Sequence, residues 1–184
     1  MVPGKSCATT IVVGVLLFSC AMTGDAQDLR VGMTGRDGGE VFTLRDVAIV
    51  SSLPRKASYV LGDKPLLPRR GAKLVVAHVD FLNDRKASVD IYCAFHLGSA
   101  LYDSDGRRFD HVPSLYEIVG NTGCNERIQP GFGSSEAIAF EIPEGATPVA
   151  VVFWDPQETD DAMGKISVVR FTLTGADFNR TSPK

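Results

Sequence analysis

The chain has 184 residues, 44% of them hydrophobic and 22% charged, with a formal net charge of −3. Those are the values of an ordinary globular protein, and the basic residues are scattered, with runs such as Arg69-Arg70 and Arg107-Arg108 no longer than pairs. No basic stripe exists for a phosphate backbone, which argues against a nucleic-acid partner.

The first twenty residues read as a signal peptide. Lys5 gives a short positive region, and Ala8–Phe18 is an uncharged, mostly apolar run of about eleven residues. That is the length of an export signal and well short of the roughly 20 residues a spanning helix needs. Leu17-Phe18-Ser19-Cys20 resembles a bacterial lipobox, with an aliphatic residue three before the cysteine and a small one just before it. The thiol of Cys20 is then the site of lipidation. Phe18 departs from the pattern, because that position usually holds a smaller side chain. Ordinary cleavage after Ala21 or Ala26, each preceded by small residues, is the alternative.

Residues 21–39 are small, polar and glycine-rich, and read as a flexible tether, "GRDGGE" included. From residue 40 the apolar period is two rather than 3.6. In "VFTLRDVAI" Phe42, Leu44, Val47 and Ile49 point inward, with an irregularity near Asp46. "LPRKASYVLGDKPLLP", residues 53–68, is long enough to be a recognition loop. "KLVVAHVDFLN" puts Val75, Ala77, Val79 and Phe81 on one face, and "SVDIYCAFHL" does the same with Val89, Ile91, Cys93 and Phe95. Tyr92 is out of phase with these and faces outward. "LYDSDGRRFD" is a hairpin with its turn at Asp103–Gly106, and Pro113–Val119 supplies at most one helical turn. "SSEAIAFEI", "PVAVVFWD" and "KISVVRFTL" complete the set, with Trp154 extending an apolar run into the core. Residues 175–184 read as a disordered tail.

Seven to nine strands without crossover helices give an all-β fold: an antiparallel, immunoglobulin-like β-sandwich over residues 40–174. Cys93 and Cys124 are the two cysteines left after the leader, and two cysteines in an exported domain most simply pair. Closing that loop stabilises the fold by about 3–4 kcal/mol on the chain-entropy argument.

Sharper chemistry is hard to find. Asp103-Ser104-Asp105-Gly106 starts like a calcium loop, but the glycine falls too early and no glutamate closes it. The acidic run Asp155–Asp161 is a solvated connection that has the composition of a weak Ca²⁺ loop. His78 and His96 fall on outward phases of successive strands, with no third ligand legible. "GFGSS" lacks a nucleophile-elbow pattern. The expectation is no catalytic residue, no metal ligand and no cofactor.

Three features together carry a resemblance: a long strand ending in Asn83, the hairpin "LYDSDGRRFD", and "IQPGFGSSEAIAFEIPEGATPVAVVFWD" with Pro130-Gly131 launching a strand. They resemble the telokin-like, immunoglobulin-fold domain of unknown function of Gram-positive and actinobacterial surface lipoproteins, and more distantly the secreted immunoprotective antigens of mycobacteria. The resemblance implies the sandwich and an envelope location, and it lends no catalytic residues. The reading is a non-enzymatic, exported, lipid-anchored envelope protein that binds an unknown protein or ligand partner. The alternatives are a secreted antigen-like, inhibitory or accessory protein, or a Ca- or Zn-dependent protein or enzyme.

Overall fold

Alternation with period two decides the architecture, because each strand then has one face to bury. The computed structural model describes residues 28–57, 64–157 and 168–180. Within them the strands are β1 (Asp28–Leu29), β2 (Thr34–Asp37), β3 (Glu40–Val50), β4 (Ala72–Asn83), β5 (Gly98–Asp103), β6 (Arg108–Asp110), β7 (Gly133–Pro143), β8 (Pro148–Trp154), β9 (Val169–Thr172) and β10 (Phe178–Arg180). Short 3-10 turns at Leu115–Glu117 and Gly175–Asp177 are the only helical residues described. The leader, Cys20, Tyr59 and the acidic residues 158–161 lie outside the described residues.

Two sheets stack. One runs β1-β9-β8-β5-β6, the other β10-β3-β4-β7, with β2 beside the first half of β3. All pairings are antiparallel except β1 with β9 and β10 with β3. Phe42, Leu44 and Val47 of β3 and Val75, Ala77, Val79 and Phe81 of β4 are buried in the core, as their phases require. The register shift between Leu44 and Asp46 is the irregularity expected there: an extra residue in β3 that keeps Val47 and Ile49 on the inner face. From the other sheet Phe153 stacks on Phe42 at 5.5 Å, while Phe81 and Phe171 meet that pair edge-on at 5.7 and 5.9 Å. Four rings thus bridge the layers.

The free edge of β7 is covered. His111 bridges to Phe140, Val112 N–H donates to Ala139 C=O, and the side chain of Asn121 pairs both the N–H and the C=O of Ala137. A long apolar strand is thereby closed to pairing with another chain. The start and end of the loop 53–68 are tied down too: Leu53 bridges Leu66, Arg55 bridges Ile118, and Lys56 Nζ donates to Asn121 C=O.

Four expectations need correction. Strands reach outside the bounds 40–174: β1 and β2 fall in the stretch read as tether, and β10 in the stretch read as tail. "GRDGGE" is a hairpin whose turn residues Gly38 and Gly39 both take positive φ, 60° and 124°, as a tight two-residue turn requires. Residues 89–97 are not a strand. Val89 and Ile91 are buried, but Asp90 Oδ1 accepts from the N–H groups of Tyr92 and Cys93 and folds the chain into a turn. Cys93 is accordingly half-buried instead of core-facing. Trp154 is outside the core, because Phe153 takes the inward phase. Its ring covers Gly98 across the sheet, where a Cβ would lie 2.2 Å from it, and Arg108 lies over the ring at 5.4 Å.

Truncation of Phe153→Ala is expected to cost about 3–5 kcal/mol, since it removes the ring that joins both layers. The check is the urea midpoint, which should fall with an unchanged slope. Cys93 and Cys124 are bridged, with Cα atoms 5.3 Å apart and a sequence separation of 31. Replacing both by serine is expected to lower stability by about 2–4 kcal/mol, read in the same titration.

Candidate functional site

One end of the sandwich gathers charged side chains that the chain supplies from five places. Asp37 ends β2 and Glu40 starts β3, facing each other across the Gly38-Gly39 turn. Glu40 is also paired with Asn83 at the end of β4. Asn83 is fully buried, and its amide donates to the carbonyls of Ala87 and Ile128 while its oxygen accepts from Arg85 N–H. This one asparagine shapes the turn that delivers Arg85. A side chain at position 39 would press on Arg85, whose Cγ lies 2.9 Å from where a Cβ would stand. Gly39 is needed twice, for its φ and for this close passage.

The other sheet contributes from its facing end. Asp155 follows the last residue of β8, and His96 precedes β5, whose Gly98 is paired with Trp154. Asp155 is fully buried, and its N–H donates to Asp37 Oδ2 at 2.9 Å. Its Oδ1 accepts from Gln157 N–H at 2.7 Å. Its Oδ2 accepts from Arg85 Nη2 at 2.5 Å and lies 3.0 Å from His96 Nδ1. Glu40, also fully buried, has Oε1 3.3 Å from Arg85 Nε and 3.9 Å from His96 Nδ1. Its second oxygen, Oε2, is buried without a hydrogen-bond partner. Arg85 and His96 therefore straddle two buried carboxylates, one from each sheet.

Burial is the main force on Glu40. Desolvation and the negative charge of Asp155 push its carboxyl up to about 8, against the opposing pull of Arg85. In the folded protein Glu40 holds a proton at pH values where an unfolded chain has already released it.

A second polar group is buried where β7 meets the loops. Tyr92 O–H donates to Glu136 at 2.6 Å and accepts from Asn121 Nδ2, and Thr122 binds the same carboxylate through both N–H and hydroxyl. Burial and then Glu136 push the Tyr92 hydroxyl up, so it stays protonated. Tyr92 is thus half-buried and hydrogen-bonded, where an outward-facing ring was expected. These groups are mutually satisfied and serve as a brace.

The two histidines read on outward phases of successive strands have different partners. His78 Nδ1 meets Asp46 at 2.6 Å on the β3–β4 face, while His96 joins Asp155. The Asp103–Gly106 turn is a hairpin: Asp103 Oδ1 accepts from the N–H groups of Asp105 and Arg107, and its Oδ2 binds the Arg107 side chain. Of the acidic run, Asp155 is a buried member of the cluster. Glu40 was missed because "GRDGGE" read as tether; its signal was a Gly-Gly pair flanked by acids and followed by alternating apolar residues.

No protein-family model matches the chain, and no curated protein matches it significantly. Solved structures do. An uncharacterised β-sandwich protein from Clostridium difficile 630 superposes with a TM-score of 0.51 at 12% identity, over 82% of this chain and 97% of that one. The yjhA protein of Bacillus subtilis gives 0.50 at 16% identity, over 78% of this chain and 99% of that one. A candidate lipoprotein of Bacillus subtilis, ycdA, gives 0.50 at 15% identity, over 82% of this chain but 40% of that one. Likeness at such identities is one of fold. It bears out the sandwich and takes the telokin-like and mycobacterial likeness no further.

The raised Glu40 carboxyl carries a sign. The native state binds a proton that the unfolded state releases between about pH 4.5 and 8, so stability falls as pH rises through that window. The full loss is on the order of 3–5 kcal/mol. Glu40→Gln cannot ionise and is expected to flatten this slope. Melting curves from pH 5 to 9 in the presence of a chelator check it, with the mutant overtaking the wild type toward pH 9.

Proposed function

We propose that this chain is a non-catalytic binding module of the bacterial cell envelope, exported by its leader and held at the membrane through lipid on Cys20. The observation that carries the reading is the Cys93–Cys124 bridge, since structural disulfides persist outside the reducing cytoplasm. It is independent of the leader and points to the same compartment. The fold shared with a candidate lipoprotein of Bacillus subtilis adds support from a third direction.

A binding role is favoured over turnover by the way the polar groups are used. Among the described residues the buried carboxylates, Arg85 and His96 face one another, and the Tyr92–Glu136 group closes on itself, instead of lining a cleft around a substrate. Exposed aromatic side chains sit on the connecting loops: Phe95 is 68% exposed and Phe132 67%. Loops on a braced sandwich are the usual place for recognition. A secreted, antigen-like or accessory protein is the second reading, and it follows from cleavage after Ala21 or Ala26.

Fractionation of a bacterial host decides between them. Wild type is expected in the membrane fraction and Cys20→Ala in the soluble exported fraction. Wild type found wholly in the medium, with an N-terminus at Met22 or Gln27, replaces the anchored form with the secreted one. Intact precursor in the cytosol overturns both.

A further inference from the structure

We propose that Glu40, His96 and Asp155 bind one divalent first-row metal ion, zinc or manganese, where the ends of the two sheets meet. This site belongs to the folded domain alone and does not depend on how the chain is exported or anchored.

Geometry comes first. The three side chains each offer one ligand atom, and those atoms lie within 4.8 Å of one another. Nδ1 of His96 is 3.0 Å from Asp155 Oδ2 and 3.9 Å from Glu40 Oε1. Donors held about 2.0–2.2 Å from a shared ion stand about 3–4 Å apart, so small side-chain adjustments close the set. All three stand at strand ends or beside them, where the backbone is fixed by cross-strand pairing. Asp155 is further held by Gln157 N–H on one oxygen and by Asp37 at its own N–H.

A second, independent observation points to a ligand. Glu40 Oε2 is sealed from solvent and has no hydrogen-bond donor, although the residue is fully buried. Buried carboxylate oxygens are almost always satisfied, and a cation bound by both oxygens of Glu40 would satisfy this one.

The donor set selects the ion. One imidazole and two carboxylates suit zinc or manganese, and they leave a position for water. Calcium takes six to eight oxygens and no nitrogen, so this set disfavours it. Thiolate ligands are absent from the cluster, and Cys93 and Cys124 are joined to each other. Arg85 fits as the outer partner. It donates to one oxygen of each carboxylate, and carboxylates that hold a metal are commonly oriented by such donors. In the metal-free protein the same guanidinium keeps the two carboxylates together.

The test uses the full-length protein with its disulfide intact, stripped with EDTA and titrated by calorimetry with Zn²⁺, Mn²⁺ or Ca²⁺. One equivalent of Zn²⁺ or Mn²⁺ is expected to bind, and saturating ion to raise the melting temperature by several degrees; Ca²⁺ is expected to do neither. Glu40→Gln and His96→Asn should each weaken binding at least about 100-fold, while His78→Asn, outside the cluster, should leave it unchanged. Circular dichroism shows whether each variant is folded. If one is not, Co²⁺ added to the wild type gives the answer, as visible absorption bands of a nitrogen- and oxygen-ligated ion are expected. No saturable binding of Zn²⁺ or Mn²⁺ by the wild type overturns the proposal, and then the cluster is an ion-pair network only. Equal affinity in Glu40→Gln and His96→Asn, or loss in His78→Asn alone, also overturns it by placing the ion elsewhere.

Discussion

Burying two carboxylates, one from each sheet, is the constraint around which this end of the molecule is organised. Glu40 and Asp155 have no exposed surface, and a carboxyl group in such a place must be paired with a donor or, as burial dictates at Glu40, keep its proton. Arg85 and His96 must therefore stand where they do. That requirement reaches back through Asn83, which shapes the turn carrying Arg85, and through Gly39, which lets Arg85 pass. The aromatic rings of Phe42 and Phe153 hold the sheets together without much direction. The charged junction has direction, because Arg85 bonds one acid from each sheet through defined donor atoms. An ion pair of this kind adds little net stability over apolar packing; what it contributes here is a fixed register between layers.

The sandwich itself was legible because its signal is local. Phase and period can be read over five or six residues, so the inward faces of β3 and β4 and the irregularity at Asp46 could be placed before any partner strand was known. The Asp103–Gly106 hairpin was legible for the same reason. Where reading failed, a polar side chain overrode the apolar pattern. Asp90 captures two backbone N–H groups, so an alternating stretch that looks like a strand becomes a turn. At "GRDGGE" the error ran the other way. Glycine-rich composition suggested a tether, although Gly-Gly is also what a two-residue hairpin needs.

The charged cluster was illegible for a different reason. Its members are separated by as many as 118 residues, the span of the Asp155 to Asp37 hydrogen bond, and no short window contains two of them except the Asp37–Glu40 turn. His96 and Asp155 were each noticeable, one as a histidine and one as the first acid of a run. Nothing in sequence spacing joins them, since the join depends on β5 lying beside β8 while β3 lies beside β4. Topology supplies it: Gly98 pairs with Trp154 and Glu40 with Asn83, and the two pairs end at the same pole of the sandwich.

The loops that link this pole to the rest of the surface are stiffened by three devices of different chemistry. The disulfide joins the turn at Cys93 to Cys124. Asp90 bonds the N–H groups of Tyr92, Cys93 and Asn125. The Tyr92–Glu136–Thr122–Asn121 group pins both segments to the edge of β7. Phe95, in a left-handed conformation with φ of 59°, is held out from this brace into solvent. A bulky residue in that conformation costs energy unless its surroundings impose it, and here three sets of contacts do. A surface so prepared loses little conformational freedom when a partner meets it, which raises affinity for a given contact area. The same rigidity fixes His96, one residue beyond Phe95, against Asp155. The exposed aromatic and the half-buried histidine are thus two outputs of one braced turn, and a change in the turn's geometry would be felt at both.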